Sequence, residues 1–261
     1  MDKTLNRSLQ KSSAKSGSVS TPSCPQCNGL GFVIANVPVD HPDFGRRIPC
    51  ACQQERQQRY VRQIWKTRLP RRFHDLSLGS FPHHLEGKQH AWAECVRYAR
   101  ERPPASLLLL GDVGVGKTGL AVGVAQELAA QGCNILFTCI VDMLGELRNC
   151  FDDRRVSFDT KFAALKNAQF LIVDDFASVN STAWIQETLY RLINHRYNEM
   201  LPTAFTVDVT DTQLAQIITP RTADRVFEMT RGWRVVVGGA NLRRLEKKNL
   251  PTLSRKELPR V

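Results

Sequence analysis

The sequence predicts an α/β protein: a central, mostly parallel sheet with helices on both faces, in three layers, and a small four-cysteine module ahead of it. Three observations carry this. From about residue 106 to about residue 238, short apolar strands alternate with helical patterns, the βα rhythm that buries a parallel sheet between two helical layers. The stretch GDVGVGKT, residues 111–118, follows one such strand and opens an apolar helix, the setting in which GxxxxGK[ST] makes a phosphate-binding loop. Four of the eight cysteines fall in two close pairs, Cys24 and Cys27 in CPQC and Cys50 and Cys52 in PCAC.

A chain of 261 residues holds one domain of ordinary size and a small module, because single cores stop growing near about 250 residues. No run approaches the roughly 18 uninterrupted apolar residues of a membrane span. The start, MDKTLNRSLQKSSAKSGSVST, is basic with no apolar segment after it, so the expectation is a cytoplasmic protein without membrane attachment. The net charge of +11 is unevenly spread: 17 Lys/Arg stand against 8 Asp/Glu over residues 1–105, 10 against 15 over 106–230, and 9 against 2 over 231–261. Basic ends around an acidic middle suit a phosphate backbone or an acidic partner; solvated faces and tails are the plain alternative.

Taken in order, residues 1–20 are Ser/Lys-rich and read as a disordered basic tail. Residues 21–55 form the cysteine module, with an apolar strand FVIANV between the two Cys pairs. Residues 53–72 read as a basic helix, with Arg59, Arg62 and Lys66 on one face, and Leu69-Pro70 ends it, giving a helical linker over 56–75. A helix over residues 87–102 leads through Pro103-Pro104 into the strand SLLLL, and the α/β domain runs over 76–245. From Asn241 the chain is basic and expected to fray, with a tail over 246–261.

In the phosphate loop, Gly111, Asp112, Val113, Gly114, Val115 and Gly116 turn backbone N–H groups toward phosphates, Lys117 reaches the β and γ phosphates, the Thr118 hydroxyl ligates Mg²⁺, and Gly119 continues the helix N-terminus. The stretch FLIVDDFAS reads as a buried parallel strand that ends in Asp174 and Asp175 at its ligand-binding edge. Asp174 would hold Mg²⁺ directly or through water, and Asp175 would orient or deprotonate an attacking water. There is no NKxD for guanine, and Ala177 replaces the glycine of DxxG, so ATP is the expected nucleotide. An ATPase needs a charge-neutralising Arg, and TPRTADRVFEM supplies Arg221 and Arg225 one helical turn apart.

The order GDVGVGKTGLA, NILFTCIVDMLGELRNCF, FLIVDDFAS, TAWIQETLYRLINHRYNEMLPTAFTVD, PRTADRVFEM resembles the AAA+ ATPases of the DnaC/DnaI helicase-loader type and their transposon-encoded IstB-like relatives. The resemblance runs from about Leu69 to Arg244. It implies a P-loop NTPase sandwich, ATP with Mg²⁺, and a polar sensor of the γ-phosphate on the strand after WIQETLYRLINHRYNEMLPT. It also implies an Arg acting in trans on a neighbouring subunit's ATP, at Arg225 with Arg221 as its partner, and a sensor Arg at Arg243. Where relatives read Thr-Ser-Asn or Thr-Thr-Asn at the sensor, this chain reads Thr206-Val207-Asp208. An amide donates to phosphate, whereas an ionised Asp only accepts, so Asp208 bears on the rate of hydrolysis, which the sequence leaves open between normal, slow and none, and not on ATP binding.

The cysteine module is also similar to loaders with an N-terminal zinc-binding domain. Cys24, Cys27, Cys50 and Cys52 offer a tetrahedral four-thiolate Zn²⁺ site, with His41 as an alternative to one thiol, and a module this small needs such a staple. The resemblance implies an ATP-dependent loader that assembles side by side, holds single-stranded DNA, and grips a hexameric replicative DNA helicase through the module. A non-hydrolysing ATP-sensing adaptor and a transposase-assisting ATPase are the alternatives. Arg148 and Phe151 are raised as DNA contacts, with core or solvated roles expected first.

Overall fold

A computed structural model describes residues 24–27, 30, 32–34, 37–39, 41, 44–52, 69–150 and 158–245. The predicted tails, the basic helix face at Arg59, Arg62 and Lys66, and Phe151 lie outside these residues. The chain divides into two compact units, Met1–Glu55 and Arg56–Val261. In the first, β1 (Phe32–Ile34) and β2 (Arg47–Pro49) pair antiparallel, Phe32 opposite Pro49 and Ile34 opposite Arg47.

In the second unit, α1 (Gln89–Glu101) leads to the strand β3 (Leu107–Leu110), α2 (Lys117–Ala130), β4 (Ile135–Cys139), α3 (Ile140–Asn149), α4 (Phe158–Asn167) and β5 (Phe170–Asp174). Then come α5 (Ala183–Asn198), β6 (Thr203–Val207), α6 (Asp211–Ile218), α7 (Pro220–Met229) and β7 (Arg234–Val236). The five strands form one sheet in the order β4-β5-β6-β3-β7, and every pairing is parallel. The expected three-layer α/β architecture is what the chain adopts.

The leucine run shows why this sequence makes a sheet with two covered faces. Successive strand side chains point to opposite faces. Leu107 and Leu109 enter one buried cluster with Tyr98 of α1 and Leu120, Val124 and Leu128 of α2. Leu108 enters the other, with Ile140, Phe162, Leu189, Leu192, Leu214 and Val226 from α3 to α7. All five residues of β5 and all five of β6 are buried, as central parallel strands require. The helix α2 is apolar nearly all round and correspondingly buried, with Leu120, Ala121, Val122, Val124 and Ala125 fully enclosed.

One buried cation fixes the floor of the sheet. The side chain of Arg196, at the end of α5, has no exposed surface. Its guanidinium donates to Thr203 Oγ1 at 2.8 Å, to the carbonyls of Leu165, Lys166 and Ala168 at 3.0, 3.0 and 2.9 Å, and to that of Pro202 at 2.7 Å. It thus ties the end of α4 to the entry of β6. Burial pushes its pKa down to about 10, still far above neutrality.

Two segments differ from expectation. Residues 69–75, read as the end of a linker, belong to the body: Arg71–Phe73 is a short 3₁₀ helix, and Leu69 and Phe73 sit in the core beside Leu107. The apolar positions of LPRRF outweigh its charges. Residues 241–245, the described start of a stretch expected to fray, lie against the phosphate loop, where the Leu242 N–H donates to Gly114 O at 2.8 Å. Their own charges gave no hint of that, because the partner is backbone. Among the described residues no helix is long and apolar enough to cross a membrane.

Candidate nucleotide-binding site

The site lies at the C-terminal ends of β3 and β5, where a parallel sheet opens to ligands. The strand order explains which groups meet there. Because β6 runs between β3 and β5, a side chain at its end reaches both. The Thr118 hydroxyl, on α2 just after the loop, donates to Asp174 Oδ1 at 2.8 Å. From β6, the Thr206 hydroxyl donates to the same oxygen at 2.8 Å and accepts the Asp175 N–H at 2.8 Å. Three elements are therefore knotted at one buried carboxylate. Burial raises the Asp174 pKa, and the bonds from Thr206 and Thr118 oppose that by favouring the charged form.

Asp175 takes a left-handed backbone, φ 53°, a conformation that Asp tolerates better than most residues, and it lines the cleft. Lys117 is buried, and its ammonium donates to Gly111 O at 2.6 Å and Asp112 O at 2.8 Å, carbonyls of its own loop. Burial pushes its pKa down, and Asp208, Asp175 and Asp174 push it back up. The cleft has a volume of about 390 Å³. Polar Lys117, Thr118, Asp175, Asp208 and Arg243 line it together with apolar Phe73, Leu76, Phe81 and Leu242. Gly114 takes φ 84°, a conformation that strains other residues, and a Cβ there would meet the Asn241 side chain at 2.2 Å.

Of the residues singled out in the sequence, Val113, Gly114, Gly116, Lys117, Thr118, Gly119, Asp175, Asp208 and Arg243 line the cleft. Asp174 lies just behind it, bonded to Thr118. Gly111 and Asp112 serve through their carbonyls, while Val115 is buried in the core. Arg221 and Arg225 do not join this cleft. They sit on α7, with both guanidinium groups over the Tyr190 ring at 5.1 Å. Arg148 lies over Trp184 at 5.0 Å. Sequence reading missed Arg72, Ser77, Ser80, Phe81 and Leu242, all of which line the cleft. It also missed the part Thr206 plays between the Asp174 carboxylate and the Asp175 backbone N–H.

The Thr118 hydroxyl and the Asp174 carboxylate are hard oxygen donors in direct contact, the donor set Mg²⁺ takes beside a phosphate. In the first unit, the Sγ atoms of Cys24, Cys27, Cys50 and Cys52 all lie within 4.8 Å of one another. Cys24 Sγ is 3.7 Å from Cys50 Sγ, and Cys27 Sγ is 3.4 Å from Cys52 Sγ. Tetrahedral Zn–S bonds of about 2.3 Å put sulfurs about 3.8 Å apart, so the cluster fits zinc. His41 is not a member of this cluster. The Cys27 sulfur, hydrogen-bonded to Cys52, pushes that thiol up to about 12. The Cys50 thiol is raised as well, whereas backbone N–H groups of Cys27 and Gln26 lower that of Cys24.

A parallel sheet in this order, with a phosphate loop after β3 and an acidic end on β5, defines a P-loop nucleotide-binding domain of the AAA+ kind. The chain belongs to the IstB-like ATP binding protein family, whose model matches residues 51–220. It is 26% identical to the replicative helicase loader DnaI of Bacillus subtilis (strain 168) over 165 residues, 62% of this chain and 52% of that protein. The chain therefore aligns with about half the length of that relative. An insertion-sequence ATP-binding protein of Mycobacterium tuberculosis is 35% identical over 91 residues, 35% of this chain and 36% of that protein. Among solved structures, the DnaC helicase loader matches with a TM-score of 0.58 at 23% identity, over 65% of this chain and 100% of that one. DnaI matches with a TM-score of 0.57 at 25% identity, over 67% of this chain and 94% of that one.

Proposed function

We propose that this protein is an ATP-dependent loader of a replicative DNA helicase, acting in the cytoplasm. The observation that carries the proposal is the combination, in one chain, of a cleft lined by a phosphate loop with a four-cysteine cluster in a second compact unit. The similarity to a replicative helicase loader supports it.

In this reading Lys117 and the loop N–H groups hold the β and γ phosphates, and Thr118 and Asp174 hold Mg²⁺, which supplies charge neutralisation at the phosphates when bound. Asp175 orients the attacking water, and the bond from its N–H to Thr206 fixes the backbone that aims it. Arg225, with Arg221, completes the site of a neighbouring subunit, so that ATP binding and side-by-side assembly are coupled. That both Arg lie apart from their own cleft supports action in trans. Asp208 adds negative charge beside the γ-phosphate position and slows turnover, leaving the ATP-bound assembly long-lived. Single-stranded DNA runs along the inner face of that assembly. The Cys24/Cys27/Cys50/Cys52 unit, holding Zn²⁺, grips the helicase, and hydrolysis releases the loader.

The test is capture of the replicative helicase by the full chain and by a variant lacking residues 1–55, each with ATP and with ADP. The proposal expects ATP-dependent capture that the deletion abolishes; capture that survives the deletion would move the docking surface off the first unit. A transposase-assisting role is the second reading, favoured by the insertion-sequence relatives. It predicts no helicase capture and ATP-dependent binding of a transposase instead.

A further inference from the structure

Lys88, just before α1, is enclosed completely, although a lysine is almost never buried without a partner. Among the described residues it has no carboxylate partner. Its Nζ donates instead to two carbonyls 150 residues away or more, Gly238 O at 2.7 Å and Ala240 O at 3.0 Å. The turn carrying those carbonyls follows β7 and is seated against the backbone that precedes Lys88. Gly239 has φ 81°, and a Cβ there would meet Glu86 O at 2.1 Å.

What comes next in the chain gives this seating a consequence. Asn241 Nδ2 donates to Val113 O at 3.0 Å, and Asn241 Oδ1 accepts the Arg243 N–H at 2.9 Å. The Leu242 N–H donates to Gly114 O at 2.8 Å. One side-chain amide thus holds the middle of the phosphate loop with one end and the cleft-lining Arg243 with the other. With the Val113 and Gly114 carbonyls bonded to Asn241 and Leu242, the loop is held from outside by its acceptors, and it is the N–H groups of such a loop that bind phosphate.

We propose that Lys88 is a positioning residue of the nucleotide site: by pinning the Gly238–Ala240 turn it seats Asn241 on the phosphate loop and Arg243 in the cleft. A lysine that merely anchored α1 would need no acceptor beyond the sheet, and a surface position would spare it desolvation. Placed here, the ammonium joins the first helix of the domain to the last turn, and through that turn to the loop. This inference rests on reading the cleft as the ATP site.

The experiment compares Lys88→Met, Asn241→Ala and the double variant by fluorescent ADP titration, hydrogen exchange of residues 111–118 and thermal unfolding. Lys88→Met is expected to weaken ADP binding about tenfold and to speed exchange across the loop at temperatures where the protein stays folded. Asn241→Ala is expected to do the same, and the double variant to bind no more weakly than the weaker single one, since both cut one chain of contacts. ADP affinity within twofold of the parent in folded Lys88→Met, or losses that multiply in the double variant, would overturn the proposal. If Lys88→Met does not fold, Gly239→Ala displaces the same turn without removing a charge; unchanged affinity there is equally fatal. Lys117→Ala in the same titration separates the two claims, because ADP binding that survives it refutes the site itself rather than the role of Lys88.

Discussion

Replacing Thr206 by Val removes one oxygen and keeps the shape, so its consequences follow from two hydrogen bonds. The hydroxyl donates to Asp174 Oδ1 and accepts the Asp175 N–H, each at 2.8 Å, and Thr206 has no exposed surface. Asp174 Oδ1 keeps its bond from Thr118, so losing the one from Thr206 costs about 0.5–1.5 kcal/mol, while the Asp175 N–H left without a partner costs about 1–3 kcal/mol, together about 1.5–4.5 kcal/mol. In a domain of this size each kcal/mol moves the midpoint by about 2–4 °C, giving a drop of about 3–18 °C. The same change frees the left-handed backbone at Asp175, so ATP turnover should fall more than ADP affinity does. Thr206→Ser keeps the hydroxyl and should recover most of both. Calorimetry and steady-state ATPase assays read the two effects. A Thr206→Val protein that melts within about 1 °C of the parent and turns over ATP at the parental rate would refute this account of the knot.

Arg196→Met should destabilise the protein by at least about 3 kcal/mol in urea unfolding, because several buried carbonyls lose their donor at once; Arg196→Lys should recover little, since an ammonium cannot replace the planar fork. Metal analysis of the purified chain should find about one zinc per chain, lost on Cys27→Ser, as a four-thiolate site predicts. Mixing Arg225→Ala and Asp175→Ala subunits should restore ATPase activity at the mixed interfaces; no recovery at any ratio would argue against action in trans.

The fold was legible because its strongest signals are periodic and local. The leucine run before GDVGVGKT and the apolar FLIVD could only be buried strands, and their acidic and glycine-rich ends marked the ligand edge. The four cysteines were legible for a similar reason: thiols in close pairs on a small module have few other uses. What escaped is what distant backbone supplies. Arg72 fell within the assigned linker and Phe81 was given no role, since nothing local says that Leu69 and Phe73 carry that segment into the core. The turn at Asn241 follows a basic-looking stretch, yet its fastening depends on Lys88, a residue 153 positions earlier that reads as an ordinary surface lysine. Thr206 was seen only as the start of a sensor triplet. Its contact with Asp174 follows from β6 lying between β3 and β5, which is topology rather than sequence. Arg196 sits within WIQETLYRLINHRYNEMLPT, a stretch that carried the family resemblance, but its five bonds to Thr203 and to backbone carbonyls could not be read there, since four of the acceptors are main chain.

The central claim is that nucleotide at this cleft controls delivery of a helicase to DNA. It is tested most directly by following the replicative helicase onto single-stranded circles in the presence of this protein, with ATP, with ADP and with Lys117→Ala. The account predicts helicase deposited on the circles by the parent protein with ATP, and only background with ADP or with Lys117→Ala. Equal deposition in all three, or none above background with ATP, would contradict it.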